Sequence, residues 1–483
     1  GASKESVIPM GSLVAVIVSG ENNRGASNSK GRNQRRGKGN TQKTKIDYKH
    51  YIVNKSDASV CEYDIGGELI NEFDNSSDVE KGLSQGKLIG FGLFNPRSMY
   101  RTFIFCHQTN YPNLFKQVNT IFKSSSFGEQ EKTEAVIKLV MTAKINDAMR
   151  SRMHMNLPSK DTDSYRLING EGDGLAGFAV DIIGGKVAVA MASASWVEIY
   201  KDTIISVLGN VLKSHPAYEG QNELDIIWRN TPMRLKQDGF TVDEVPNEEY
   251  SRDTAVTVME NKIKYYTYPY GQGQKTGFYC DQRENRFNLA LQCEDKRVLD
   301  LCCYNGGFSL NAVVHGKANS CVGIDSSQDA IDAAIANAEL NGVGSRVEFH
   351  KADIAKYMNN AEEEGKEFDV IILDPPKLAP TINALDRASR KYHSLNRDAC
   401  KLINSKEGGL LLTCTCSGAM TQRNGGQYFL QTIRGAALAA GRRITLLRSS
   451  GAAPCHVQDP SSYPANAYLT AALFYVSPKE DVN

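Results

Sequence analysis

The run FDVIILDPPK, from Phe368 to Lys377, carries the most specific chemistry in this chain. An apolar strand ends in the carboxylate of Asp374, and Pro375 and Pro376 follow with no backbone N–H between them. Such a loop is stiff, and its carbonyls are fit to accept hydrogen bonds from the exocyclic amine of a planar base. A plain turn after a buried strand rarely uses two prolines. A second candidate group is a thiol. GLLLTCTCS, from Gly409 to Ser417, reads as a strand that places Cys414 and Cys416 on one face near its end. Only a small fraction of an ordinary thiol, of pKa about 8.5, is thiolate at neutral pH, so a nucleophilic role asks for a positive neighbour. Lys377 is the candidate. A cysteine at a strand end is also commonly structural.

A cofactor signal lies upstream. VLDLCCYNGGFS (Val298 to Ser309) is a strand bearing Asp300, then a turn with Gly306 and Gly307, then a helix. Glycine at such a turn lets the backbone approach a nucleoside ligand closely. The next strand, CVGID, ends in Asp325, about 20 residues on, placed to bond ribose hydroxyls. Asp353 closes the third strand, beside an adenine. The turn does not spell G-x-G-x-x-G, which disfavours NAD and favours S-adenosylmethionine. The plain alternative is a sheet whose terminal acids merely cap helices.

Positioning these groups requires alternating strands and helices. Arg297–Cys303, Cys321–Asp325, VEFHKAD, Phe368–Asp374 and Gly409–Ser417 read as strands, and SQDAIDAAIANAELNGV as a helix closed by Asn341-Gly342. This predicts βαβ units in a mostly parallel, doubly wound α/β sheet. Upstream, Thr133–Met155 and Trp196–Leu212 read as helices around the strands of YRLINGEGDGLAGFAVDIIGGKVAVAMAS, a second α/β unit. Short strand-like runs with Gly and Pro punctuation before residue 107 suggest a small β-barrel. Between Arg24 and Lys49 lie nine basic residues and one acid, with almost no apolar residue. We read this stretch as disordered: beside RNA it would add salt-sensitive, sequence-independent affinity, and the plain alternative is a solvated insert or the remnant of a transit region. The whole chain of 483 residues has net charge +1, so the remainder carries about −7. Eleven cysteines without a zinc-type spacing suggest free thiols in a reducing compartment. No apolar run reaches the ~18 residues of a membrane span. The sequence opens at Gly1 rather than Met, as a processed form would.

QKTGFYCDQRENR (Gln274 to Arg286), followed in order by VLDLCCYNGGFS, VGIDSSQDAIDAAIANAELNG, FDVIILDPPK and TCTCSG, resembles the large-subunit ribosomal RNA methyltransferase I family. The likeness runs from about Tyr165 to the end, and GFGLFNPRSMYRTFIF resembles the family's PUA strands. The resemblance implies three regions: a PUA-like β domain over 1–125 with the basic insert at 21–49, a central α/β linking domain over 126–265, and a Rossmann-like class I methyltransferase domain over 266–483. It implies that Lys275, Thr276, Gly277, Phe278, Asp300, Gly306, Gly307, Asp325, Ser326, Asp353 and Asp374 line the S-adenosylmethionine pocket. It makes Cys416 the nucleophile, with Asp374 and Lys377 beside it, and puts Pro375, Pro376, Arg390 and Tyr392 against the substrate. His456 lies in a loop resembling one near the substrate. The implied partner is RNA, ribosomal RNA by the family's name, with no membrane and a possible homodimer, in the cytoplasm or an organelle. The chain departs from the family at Asn305, Cys302, Cys303 and Leu378, and in the basic insert.

The resemblance implies methylation of cytosine carbon 5, and a cysteine suits that reaction because a thiolate added at carbon 6 makes carbon 5 nucleophilic. A guanine-N methyltransferase would need no nucleophile, and a silent RNA-binding assembly factor would need no methyl transfer.

Overall fold

The computed structural model describes residues 10–19, 50–53, 60–63, 69–73, 86–98, 102–218, 224–242, 254–271, 278–460 and 463–479. The basic insert at 21–49, and Lys275, Thr276 and Gly277, lie outside the described residues. Residues 1–145, 192–211 and 230–244 form one compact unit, and residues 146–191, 212–229 and 245–483 form the other.

In the first unit, β1 (Leu13–Ser19), β2 (His50–Val53), β3 (Val60–Tyr63), β4 (Leu69–Phe73), β5 (Gly86–Phe94) and β6 (Thr102–His107) make an antiparallel sheet in the order β4-β3-β2-β1-β5-β6. The helix Pro112–Lys123 starts on a proline and buries Leu114, Phe115, Val118 and Phe122 along one stripe. Phe91 of β5 meets that stripe, its ring 5.3 Å from Phe115 and 5.2 Å from Phe122.

The second unit holds three sheets. β7 (Tyr165–Asn169), β8 (Phe178–Ile183), β9 (Val187–Ala192) and β10 (Asp225–Asn230) form one, in the order β10-β9-β8-β7. β11 (Val256–Glu260) and β12 (Ile263–Thr267) form a hairpin. The third has seven strands: β13 (Arg297–Leu301), β14 (Ser320–Asp325), β15 (Val347–Lys351), β16 (Val370–Leu373), β17 (Gly409–Thr415), β18 (Ile444–Ser450) and β19 (Thr470–Val476). Their order is β15-β14-β13-β16-β17-β19-β18, parallel except that β19 runs antiparallel to both its neighbours. The strand order reverses between β13 and β16, where open α/β sheets bind ligands at the carboxyl ends of their strands.

A mostly parallel sheet is covered on both faces, so its central strands are strongly apolar. All four residues of β16 are buried. Val298, Val370 and Leu412 face one core, which also takes in Val258, Ile263 and Tyr265 of the hairpin and Val187 and Val189 of β9. Leu299, Ile371 and Leu411, each the sequence neighbour of one of these, face the other, packed on Leu395, Ala399 and Leu402 of the helix Leu385–Leu402. The expected helix over Trp196–Leu212 is two helices, Ser195–Ile199 and Lys201–Ser214, broken at Tyr200. Tyr200 spends its hydroxyl on the Gly11 carbonyl, 2.7 Å away. No helix among the described residues is long and apolar enough to cross a membrane.

Candidate active site

Four carboxylates stand at or near the carboxyl ends of adjacent strands, and each has a defined local role. Asp300, fully buried on β13, accepts from the Ser309 N–H (3.0 Å) and hydroxyl (2.7 Å) through Oδ2. Those bonds fasten the start of the helix Gly307–Val314 to the strand. Its Oδ1 is buried with no hydrogen-bond partner. Burial pushes this carboxyl up to about 7, against the Ser309 bonds, and nearby Asp374 and Asp325 push the same way. Asp325, at the end of β14, accepts from the Tyr304 N–H (3.0 Å) through one oxygen and from the Ser327 N–H (2.9 Å) through the other. Asp353 is exposed and caps the helix Ile354–Glu363, accepting from the Lys356 N–H at 2.9 Å. Asp374, half-buried after β16, accepts from Gln282 Nε2 at 3.0 Å.

The turn after β13 is tightly wound. Cys302, Tyr304 and Gly306 all have left-handed φ (66°, 50° and 83°). The N–H groups of Cys302 and Cys303 donate to the Ile324 carbonyl at 2.8 and 3.0 Å. A Cβ on Gly306 would stand 3.1 Å from the Phe349 ring, so glycine is required by both conformation and space.

This arrangement fits S-adenosylmethionine, which carries a sulfonium cation and a ribose diol. The half-buried Cys302 thiol is pushed upward by burial and then by Asp325, Asp374, Asp300 and Asp353 together. The four acids at the carboxyl ends of β13, β14, β15 and β16 therefore all act on the turn that follows β13. Asp325 is held by two backbone N–H groups, one on each oxygen. Ser326 next to it is exposed. Phe278 is buried in the core against the Tyr265 ring, centroids 5.2 Å apart.

Across the crevice, β16 and β17 run parallel, with Leu373 beside Thr413. Asp374 and Cys416 thus leave neighbouring strand ends, and the hydroxyls of Tyr279 and Tyr392 feel both. Cys416 is half-buried. Ser417 Oγ donates to the Ala379 carbonyl at 2.5 Å, tying the end of β17 to the loop beyond the two prolines. Cys414 is fully buried, and burial holds its pKa well above the ordinary thiol value. Cys303 is buried and held as a thiol in the same way. Pro375 is buried, whereas Pro376 and Lys377 are exposed. Lys377 makes no hydrogen bond or ion pair among the described residues. Arg390 is exposed, but Tyr392 on the same helix is buried and donates to Thr415 Oγ1 at 2.8 Å, so its ring supports β17 from behind. His456 is also buried, and burial pushes its pKa down to about 3, leaving a neutral imidazole beside Cys455.

Sequence reasoning gave no role to Tyr279, Gln282, Asn285 or Arg286. The Tyr279 ring packs edge-on against Tyr304, centroids 5.1 Å apart, at the lip of the glycine turn. Arg286 makes a buried, two-pronged ion pair with Glu260 (2.8 and 2.6 Å) and donates to the Tyr279 carbonyl at 2.7 Å. The only signal for these residues was their place inside the Gln274–Arg286 run.

Comparison with known proteins agrees with this geometry. A family profile described as a methyltransferase domain matches residues 293–437. The chain is 35% identical over 322 residues to the ribosomal RNA large subunit methyltransferase I of Cronobacter sakazakii, covering 66% of this chain and 76% of that one. Identity to the protein of the same name from Shigella dysenteriae is 35% over 315 residues, covering 65% and 74%. Among solved structures, a chain described as a methyltransferase and complexed with SAH superposes with a TM-score of 0.60 at 20% identity, over 80% of this chain and 88% of that one. A Streptococcus mutans chain described as a SAM-dependent methyltransferase gives 0.59 at 19%, with the same coverage. These two show the fold. The strand order, the matched methyltransferase domain and the sequence identity together place this chain, with S-adenosylmethionine as its cofactor, in the ribosomal RNA large subunit methyltransferase I family.

Proposed function

We propose that the protein methylates carbon 5 of a cytosine in large-subunit ribosomal RNA through a covalent adduct on Cys416. The observation that supports this most is the contrast among the thiols around the crevice. Cys416 is half-buried at a strand end beside Asp374, while Cys414 and Cys303 are enclosed and held protonated.

Bound S-adenosylmethionine supplies the sulfonium methyl that carbon 5 takes up. The Cys416 thiolate adds to carbon 6, forming a C–S bond and raising electron density at carbon 5. Asp374, steadied by Gln282 on one oxygen, shares a proton with N3 of the ring through the other and stabilises the charge that thiolate addition develops there, and the Pro375 carbonyl accepts from the N4 amine, which favours cytosine over uracil. Lys377 adds positive charge at the rim. Once carbon 5 carries the methyl group, its proton leaves to a base, the C6–S bond breaks, and the thiolate is regenerated. Arg390, exposed on the helix Leu385–Leu402, contacts RNA phosphate, and the antiparallel β1–β6 sheet with its basic insert serves as a PUA-like RNA-binding region.

The test is incubation with isotopically labelled methyl donor and RNA from cells lacking the protein, followed by nucleoside mass analysis. The expected product is 5-methylcytidine. RNA containing 5-fluorocytosine, which has no carbon 5 proton to lose, should trap an adduct on a peptide containing Cys416. A methylated guanine product, or an adduct on Cys303, would reject the proposal.

A further inference from the structure

A chain of side-chain amides runs from the end of β18 to Asp374. The Gly451 carbonyl can only accept, and it takes a hydrogen bond from Asn285 Nδ2 at 3.0 Å. That fixes which way the Asn285 amide faces. Its Nδ2 also donates to Gln282 Oε1 at 2.7 Å, and its Oδ1 accepts from the Ser450 hydroxyl at 2.7 Å. Because Gln282 Oε1 already meets a donor, Gln282 Nε2 is turned to Asp374 Oδ2, 3.0 Å away. Gln282 and Asn285 are both 5% exposed, so water does not compete for these bonds.

We infer that Gln282 is a positioning residue for the methyl-transfer reaction: oriented by Asn285, it commits Asp374 Oδ2 to an N–H donor and so fixes how Asp374 meets the target base. This rests on the assignment of Asp374 to the base-facing side of the site. An acceptor in place of Nε2 would leave two oxygens facing each other and force a shared proton. The amide chain also gives the edge strand β18 a direct mechanical link to the reacting end of β16.

The test is Gln282→Glu, close to isosteric, assayed for methyl transfer to RNA from pH 5.5 to 9. Two carboxylates within hydrogen-bond reach share one proton, so the limb of the kcat/KM profile that Asp374 sets should move to higher pH by at least about one unit. The KM for the methyl donor should change less than about twofold, because that side of the crevice keeps its contacts. If Gln282→Glu does not fold, Asn285→Asp serves: it offers the Gln282 amide a second carboxylate, and kcat/KM for RNA should fall about tenfold. Asp374→Asn is run alongside. An unshifted Gln282→Glu profile, with Asp374→Asn inactive, overturns the positioning role and leaves the reading of Asp374 standing. Full activity in Asp374→Asn overturns both.

Discussion

Tyr392 donates its hydroxyl to Thr415 Oγ1 across 2.8 Å, one residue ahead of Cys416. Thr415 Oγ1 also accepts from the Ser417 N–H at 3.3 Å, so one hydroxyl oxygen bridges the backbone around the thiol. Tyr392→Phe removes a donor from a fully buried site and leaves the ring in place. The variant should lose about 1 kcal/mol of stability, read from chemical denaturation. Its kcat should fall a few-fold while the KM for RNA stays within about twofold, because the ring is behind the strand rather than against the substrate.

Arg390, two residues earlier, should behave in the opposite way. It is exposed, so Arg390→Ala should leave the denaturation midpoint unchanged. If it neutralises a phosphate, the variant should raise the KM for RNA and lower the slope of log affinity against log salt by about one. An unaltered salt slope would remove Arg390 from the RNA interface.

The two cysteines of β17 give a sharp comparison. Cys416→Ala should lose methyl transfer by about a thousandfold or more while still binding SAH, measured by calorimetry. Cys414→Ala opens only a small void in the core and should cost about 1–2 kcal/mol of stability, with methyl transfer per folded molecule nearly unchanged. Loss of turnover in Cys414→Ala and retention in Cys416→Ala would reverse the assignment.

What the sequence disclosed follows from how strongly each element advertises itself. β16 is four buried residues bracketed by acids, and its VIIL run reads as an interior strand without help from any neighbour. β18 and β19 were not legible. β18 (ITLLRSS) is an edge strand exposed over most of its length, so no burial pattern marks it. β19 (TAALFYV) carries two alanines after Thr470, a weak strand signal, and shows itself only by its burial against β17 and β18. The same distinction holds in the site. Asp325 and Asp374 end apolar strands and were visible as such, whereas the roles of Gln282 and Asn285 come from Gly451, more than 160 residues away, and no local pattern encodes that pairing. Asp353 shows both sides, since a strand-end acid expected beside the cofactor also caps the helix that follows it.

Gly306 tests the donor side alone. Its φ of 83° and the 3.1 Å approach of the Phe349 ring to an added Cβ both oppose a side chain. Gly306→Ala should cost about 1–2 kcal/mol of local strain, part of it relieved by shifting the turn away from Asp325. The Kd for SAH should rise about tenfold or more in calorimetry. An unchanged Kd would mean that the turn does not cradle the cofactor.

Asp300 gives a prediction about stability and pH. Burial raises its carboxyl from an ordinary value near 4 to about 7, and the unpartnered Oδ1 is the oxygen able to hold the proton. Between those two values the native state retains a proton that the unfolded chain has released, so stability is fully present below about pH 4 and falls as pH rises through about 7. The loss expected from this one group is a few kcal/mol. Asp369 titrates in a different window. Burial opposes its charge, but hydrogen bonds from Arg297 and Asn404 outweigh that and lower it to about 2, so its contribution is present at ordinary pH and lost only in strong acid. Asp300→Asn holds the site neutral at every pH and keeps an oxygen for Ser309. Denaturant midpoints of the two proteins compared from pH 5 to 8 should therefore diverge, with the wild type losing ground to Asp300→Asn as pH rises. Parallel curves over that range would show that Asp300 is already ionised at pH 5, and that the Ser309 bonds outweigh its burial.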